Sequence, residues 1–330
     1  MSQTITQTET ISLREAINQA LREELERDDD VVIWGEDVGE SGHVSNITEG
    51  LYDDFGAERV RDAPLAENGF VGAGVGAAAT GLRPVVDIMY ADFFGVACEQ
   101  MLNQMTKMHY MFGGQLTVPL VVRASEGAGL SAAAQHSKTT HTFLSHMTGS
   151  KVVTPGTPAA AKGLMKSAIR SDDPVFFLEN KRTYTMKDEV PTDEDFTVPI
   201  GEASVERAGE DVTVVATQAF VGDSLELAEQ LEGDVSVEVI DPRSLYPLDH
   251  ETIAESVKKT GRLVVADESP LSYGTHAEII SRVNETAFYY LDKPPQRVGW
   301  PDTPVPSAPT LENEVMPGRD ELQRAIERIA

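Results

Sequence analysis

The sequence predicts an α/β protein of two domains, the first organised on a parallel sheet. Short apolar runs alternate along the chain with helical patterns, the succession that builds parallel sheets flanked by helices. A length of 330 residues suits two domains of roughly 150 residues each. The acidic stretch KDEVPTDEDFTVPIG, residues 187–201, carries two prolines and no helical period, and marks the boundary.

The first helix follows a polar leader, MSQTITQTET. Leu13, Ala16, Ile17, Ala20, Leu21 and Leu25 recur at helical spacing, and Ser12 with Glu15 makes a capping box before them. A turn at 28–30 leads into Val31-Val32-Ile33-Trp34, a buried strand that leaves Glu36 and Asp37 at its carboxyl end. Further strands are expected at 85–90, 118–123, 151–154 and 174–178, with helices over 92–112 and 158–170 between them. Beyond the boundary, 212–217, 235–240 and 263–266 read as strands, and 223–231, 249–259 and 275–290 as helices. A Pro-rich run over 294–309 precedes a last helix at 319–329. This gives a first domain over 1–190, a linker over 191–202 and a second domain over 203–330.

Composition removes several functions. Asp and Glu number 54 against 27 Lys and Arg, a formal net charge of −27. Such a field repels nucleic acid and anionic membranes, which bind excess positive charge. The acidity is spread over many segments, which points to a halophilic cytoplasm, where molar salt shortens the Debye length to about 3 Å and screens self-repulsion. No run of about 18 apolar residues is present, and the leader lacks the basic and apolar segments of a secretory signal. A single cysteine, Cys98, excludes an internal disulfide and a cysteine-rich metal site. The expected class is an intracellular enzyme.

Candidate residues are few. The run GFVGAGVGAAATG at 69–81 imitates a dinucleotide fingerprint, but Ala77 takes the third glycine position and a polar loop precedes it instead of a strand. Small residues at 72–74 and 76–79 instead describe a helix smoothed for close packing. His136, His141 and His146 are five apart, which turns a helix by about 500° and points neighbours about 140° apart. Metal ligation is therefore not expected of them. His136 lies in a small-residue loop after a strand, and Glu36 directly follows another, the positions where open α/β sheets bind ligands. Glu67 stands just before the smooth helix, where a carboxylate would gain under about 1 kcal/mol from the helix dipole.

Longer strings carry more information. RDAPLAENGFVGAGVGAAATGLRPVVDIMYADF, GGQLTVPLVVR, AAAQHS, KVVTPGTPAAAKGLMKSAIRSDDPVFFLEN and VKKTGRLVVADES follow one another in this order. Together they resemble the beta subunit of thiamine-diphosphate-dependent 2-oxo acid dehydrogenases. These are the decarboxylating first components of pyruvate, branched-chain and acetoin dehydrogenase complexes. The resemblance runs from about Leu13 to the carboxyl terminus.

It implies a pyrimidine-binding domain of transketolase type, then a smaller transketolase C-terminal-like domain. It implies that Glu67 accepts a hydrogen bond from N1′ of the cofactor's aminopyrimidine, that Phe93 walls the pyrimidine ring with Met89 nearby, and that Glu36 joins a proton path between paired active sites. His136 matches a histidine that assists acyl transfer to the lipoyl arm of the acyltransferase. A potassium ion near Leu120, Ala168, Ser171 and Asp173 occurs in some relatives, although Ser171 here replaces an acid common there. No GDG segment for magnesium and diphosphate occurs anywhere in the chain. Family membership therefore implies that an alpha subunit holds magnesium and completes the site in an α2β2 heterotetramer. A self-contained transketolase is excluded by the same absence. A non-catalytic interaction subunit would be expected to lack Glu67 and His136, and both are present. Pyruvate or a branched-chain 2-oxo acid is the expected substrate, with acetoin as the alternative.

Overall fold

A computed structural model describes residues 7–330, and the first six residues of the polar leader lie outside the described part. A seven-stranded sheet forms the first domain. Its order is Ser244–Tyr246, Lys151–Val153, Val175–Asn180, Val121–Glu126, Arg83–Tyr90, Val31–Gly35 and Val60–Asp62, parallel except for the first. That antiparallel edge strand comes from far along the chain, after the second sheet has begun, and so stitches the two sheets together.

Alternation along the strands explains the layers. Val31 and Ile33 face a core shared with helices Leu13–Arg27 and Pro158–Arg170, whereas Val32 and Trp34 face one shared with helix Glu67–Ala79. The capping box forms as expected, with the Ser12 N–H donating to Glu15 at 2.7 Å. The second sheet has five strands in the order Gln296–Trp300, Leu263–Pro270, Val212–Ala216, Val237–Asp241 and Ser204–Arg207, the last antiparallel. Helices Ala219–Gln230 and Arg319–Ile329 cover one face and His250–Thr260 and Thr275–Ala287 the other.

Three expectations need correction. The helix read over 92–112 is a 3-10 turn at Ala91–Phe93, an α-helix at Phe94–Glu99, a π-helical segment at Gln100–Met105 and a short α-helix at Met108–Met111. The buried positions Ala97, Met101 and Met105 are four apart, and the wider π turn keeps them on one face. The acidic stretch from 187 opens with a strand, Lys187–Pro191, paired antiparallel with Thr8–Ser12. Its charges sit on an exposed two-stranded ribbon, while Val190 and Pro191 point inward. The Pro-rich run holds the strand Gln296–Trp300 at the sheet edge, with the prolines outside it.

Candidate functional site

The first sheet's parallel strands end together along one edge, where open α/β sheets present their ligands. Strand Val31–Gly35 is buried throughout and delivers Glu36 immediately beyond its last residue. Gly35 permits the close approach of the neighbouring strand, since a Cβ there would lie 2.1 Å from the Asp87 carbonyl oxygen. Glu36 is 4% exposed, and its Oε1 is buried without a hydrogen-bond partner among the described residues. Burial, then the charges of Glu67, Asp87 and Asp37, push its pKa up to about 7. Glu67 is the first residue of its helix and is half-buried. A pair of carboxyl groups thus shares this edge, and one of them keeps a proton up to neutral pH.

Strand Arg83–Tyr90 supplies the adjoining wall. Its register with Val121–Glu126 slips between Asp87 and Tyr90, and Met89 in the slip has φ +62°. Two bonds of 2.7 Å pin Met89: its N–H donates to Asp87 Oδ1 and its carbonyl accepts from Ser125 Oγ. Asp87 is anchored in turn by Arg123, which also forks onto Glu179, and the Tyr184 hydroxyl donates to Glu179 at 2.7 Å. All of these are buried. Burial opposes the Arg123 charge, but Asp87 and Glu179 hold its pKa well above the ordinary arginine value. His43 lies 3.7 Å from Asp87, and burial lowers its pKa to about 4, so it is neutral there.

Phe93 closes the turn Ala91–Phe93. The His136 ring packs edge to face on Tyr90, with centroids 4.7 Å apart, and on Phe93 at 5.5 Å. Lys181 follows strand Val175–Asn180, donates to the His136 carbonyl and lies 5.3 Å over the Tyr90 ring. Burial holds the Lys181 pKa below the ordinary lysine value. Glu36, Glu67, Met89, Phe93 and His136 therefore all belong to this edge.

Leu120, Ala168, Ser171 and Asp173 lie at the opposite, amino-terminal end of the strands. Two cationic side chains already sit among their oxygens. Lys151 Nζ is 3.1 Å from both Ser171 Oγ and the Asp173 carboxylate, and Arg83 donates to the Ile169 and Ser171 carbonyls at 3.0 and 3.2 Å. Both cations are ion-paired at this corner, Lys151 with Asp173 and Arg83 with Asp172. Sequence reasoning missed Lys181, His43, and the Asp87–Arg123–Glu179 chain, because each acquires its role from strands distant in sequence. Only the lone charges inside apolar strand strings, Asp87 and Arg123, could have signalled a buried pair.

The sequence matches the transketolase pyrimidine-binding domain over residues 9–187 and the transketolase C-terminal domain over 201–322. It is 42% identical to the acetoin:2,6-dichlorophenolindophenol oxidoreductase beta subunit of Bacillus subtilis, over 94% of this chain and 95% of that one. The 2-oxoisovalerate dehydrogenase beta subunit of the same organism is also 42% identical, over 97% and 98%. The pyruvate dehydrogenase E1 beta subunit of Rhizobium meliloti is 43% identical, over 98% of this chain and 71% of its own. Among solved structures, a split-gene transketolase described as an inactive beta4 tetramer has the same fold, with a TM-score of 0.77 and 24% identity over 97% of this chain and 98% of that one.

Proposed function

The chain belongs to the beta subunits of thiamine-diphosphate-dependent 2-oxo acid dehydrogenase first components, and from that premise we propose that, joined to an alpha subunit, it oxidatively decarboxylates pyruvate or a branched-chain 2-oxo acid and passes the acyl group to a lipoyl arm. The observation that carries this reading is the Glu36–Glu67 carboxyl pair, with a buried Glu36 oxygen that has no hydrogen-bond partner among the described residues. An orphaned acid beside a half-buried carboxylate and an aromatic wall fits a flat heterocycle bearing ring and exocyclic nitrogens.

Thiamine diphosphate supplies the carbanion chemistry when bound. The chain's own residues bind, orient and handle protons. Glu67 would hold the aminopyrimidine by a hydrogen bond at N1′. Glu36, protonated up to about neutral pH, donates or accepts a proton at its carboxyl oxygen. Phe93 and Tyr90 exclude water on one side, and Asp87 fixes the Met89 backbone at the edge. His136, seated on the two aromatic rings, carries the proton for acyl transfer.

The missing GDG segment makes this half a site. Magnesium and diphosphate are then held by the alpha subunit in an α2β2 assembly, and the lipoyl group arrives on a dihydrolipoyl acyltransferase. On helix Glu67–Ala79, Gly74 packs on the chain's own sheet, while Gly69, Ala73 and Gly76 face outward and offer a smooth surface to a neighbouring subunit. The net charge of −27 supports work in a halophilic cytoplasm. No helix among the described residues is long and apolar enough to cross a membrane.

The test is dye-coupled oxidative turnover in molar KCl with magnesium and thiamine diphosphate, with and without the alpha subunit. Pyruvate, 3-methyl-2-oxobutanoate, 2-oxobutanoate and acetoin are compared. Turnover that requires both subunits and prefers one 2-oxo acid is the expected result, and a preference for acetoin would reassign the substrate. No turnover from an assembled, cofactor-loaded complex would sink the proposal.

A further inference from the structure

His136 rides on the loop 127–140, between strand Val121–Glu126 and the short helix His141–Ser145. Four residues of this loop, Gly127, Gly129, Ser131 and Ala133, have φ between +54° and +97°, and two of them are not glycine. A backbone of that kind persists only where its surroundings over-determine it.

Two first-domain side chains hold the loop: Lys181 donates to the His136 carbonyl, and Asp92 accepts from Lys138 Nζ at 2.9 Å. The remaining ties are of two sorts. Some close the base of the loop on itself. The Gly127 N–H donates to the Lys138 carbonyl at 3.1 Å, the Thr140 N–H to Glu126 at 2.8 Å, and His141 Nδ1 to Glu126 at 2.6 Å. The others come from the second domain, and all end on carboxylates. His141 Nε2 lies 3.0 Å from Asp267, and the Ala128 N–H 3.4 Å from Glu268. The Gly129 and Ser131 N–H groups each donate to Glu312 at 2.8 Å. Asp267, Glu268 and Glu312 are 0, 4 and 1% exposed.

These acids are saturated. Asp267 also accepts from Thr217 Oγ1 and the Ser269 N–H, Glu268 pairs with Arg182 at 2.8 Å, and Glu126 accepts from Gln218 at 2.9 Å. Burial disfavours charge on His141, but Asp267 and Glu126 hold its pKa well above the ordinary histidine value. The remaining charged or titratable neighbours include Lys138 with its partner Asp92, Lys181, Arg182 with its second partner Asp223, and His276, beside which lies Arg297. The second domain has no residue at the carboxyl pair, yet it spends three buried acids on the loop that carries His136.

We propose that Glu312 and Asp267, the latter through His141, are positioning residues by which the second domain holds the His136 loop in its acyl-transfer geometry. This rests on the reading of His136 as the acyl-transfer residue.

The assay uses the complete complex with its alpha subunit. Glu312→Gln and His141→Gln are compared with His136→Ala and with Glu314→Gln, whose side chain is exposed on the same short helix. Two readouts are taken: the ratio of lipoamide acylation to dye-coupled decarboxylation, and amide hydrogen exchange over residues 127–140. Both clamp variants are expected to lower the ratio about tenfold and to speed exchange in the loop about tenfold, since a small misplacement of a reacting group costs that much or more. His136→Ala should lower the ratio with parental exchange, and Glu314→Gln should change neither. If His141→Gln does not fold, Glu312→Gln, which alters contacts only to two N–H groups and one hydroxyl, decides. Parental exchange in the loop, or acceleration spread evenly over both domains, overturns the proposal. A normal ratio in His136→Ala removes the acyl-transfer reading instead, and the exchange result still decides whether the clamp exists.

Discussion

At the edge of the first sheet, Glu36 follows strand Val31–Gly35 with an oxygen that no donor among the described residues reaches. At the corresponding edge of the second sheet, Asp267 in strand Leu263–Pro270 accepts from His141, Thr217 and Ser269. Burial drives both pKa values up, but the outcomes are opposite. Glu36 rises to about 7, while the His141 charge and the donated hydrogen bonds hold Asp267 below the usual carboxylate range. Two mostly parallel sheets with acids at their strand ends therefore differ in one physical respect, whether the chain supplies partners. The unsatisfied edge is available to a ligand and the satisfied edge is committed to architecture.

Substitutions at the two edges can break this contrast. The largest effect is expected from Glu67→Gln, which keeps the size of the side chain and removes the charge that would hold the aminopyrimidine. Turnover of the assembled complex should fall about a thousandfold, with the urea midpoint of the purified chain unchanged. A loss of only a few fold would mean that the open edge is not where proton handling occurs. Asp267→Asn should behave in the reverse sense. It leaves the buried imidazolium with one carboxylate, and unfolding free energy should drop by about 3 kcal/mol in urea titrations. An unchanged midpoint would show that the second edge is not the structural one.

Much of this architecture was legible in the chain. The strands announced themselves as short apolar bursts, and helices Pro158–Arg170 and Arg319–Ile329 by their spacing, because each buries a face against its own sheet. What escaped were the segments whose partners come from elsewhere. Ser244–Tyr246 is too short to stand out and is a strand only because Lys151–Val153 lies beside it. Gln296–Trp300 was masked by the prolines around it. The same division holds for the site. Glu36 and His136 could be picked out by position after a strand, and Glu67, Phe93 and Met89 took their roles from resemblance. His141 was noticed only as one of three spaced histidines, and its role could not be read, because nothing in THTFLSH announces that Glu126 and Asp267 will enclose it.

The smallest expected effect is also the one that separates the two edges by sign. A carboxyl whose folded pKa is about 7, against an ordinary value of 4.5, contributes most to stability below pH 4.5, and that contribution is lost as pH rises through 7. Glu36→Gln has no proton to lose. Its Tm should match the parent chain near pH 5 and exceed it by roughly 2 to 4 °C near pH 8.5. Asp267, with its pKa held down, contributes stability above its ordinary value of 3.8 and loses it only as pH falls further, so Asp267→Asn should remain destabilised across the same range. Thermal melts of the two variants at both pH values therefore diverge if the edges differ as described. A Glu36→Gln advantage that is flat with pH would mean that a donor within the folded chain already satisfies Glu36, and the open edge would lose its claim to a ligand.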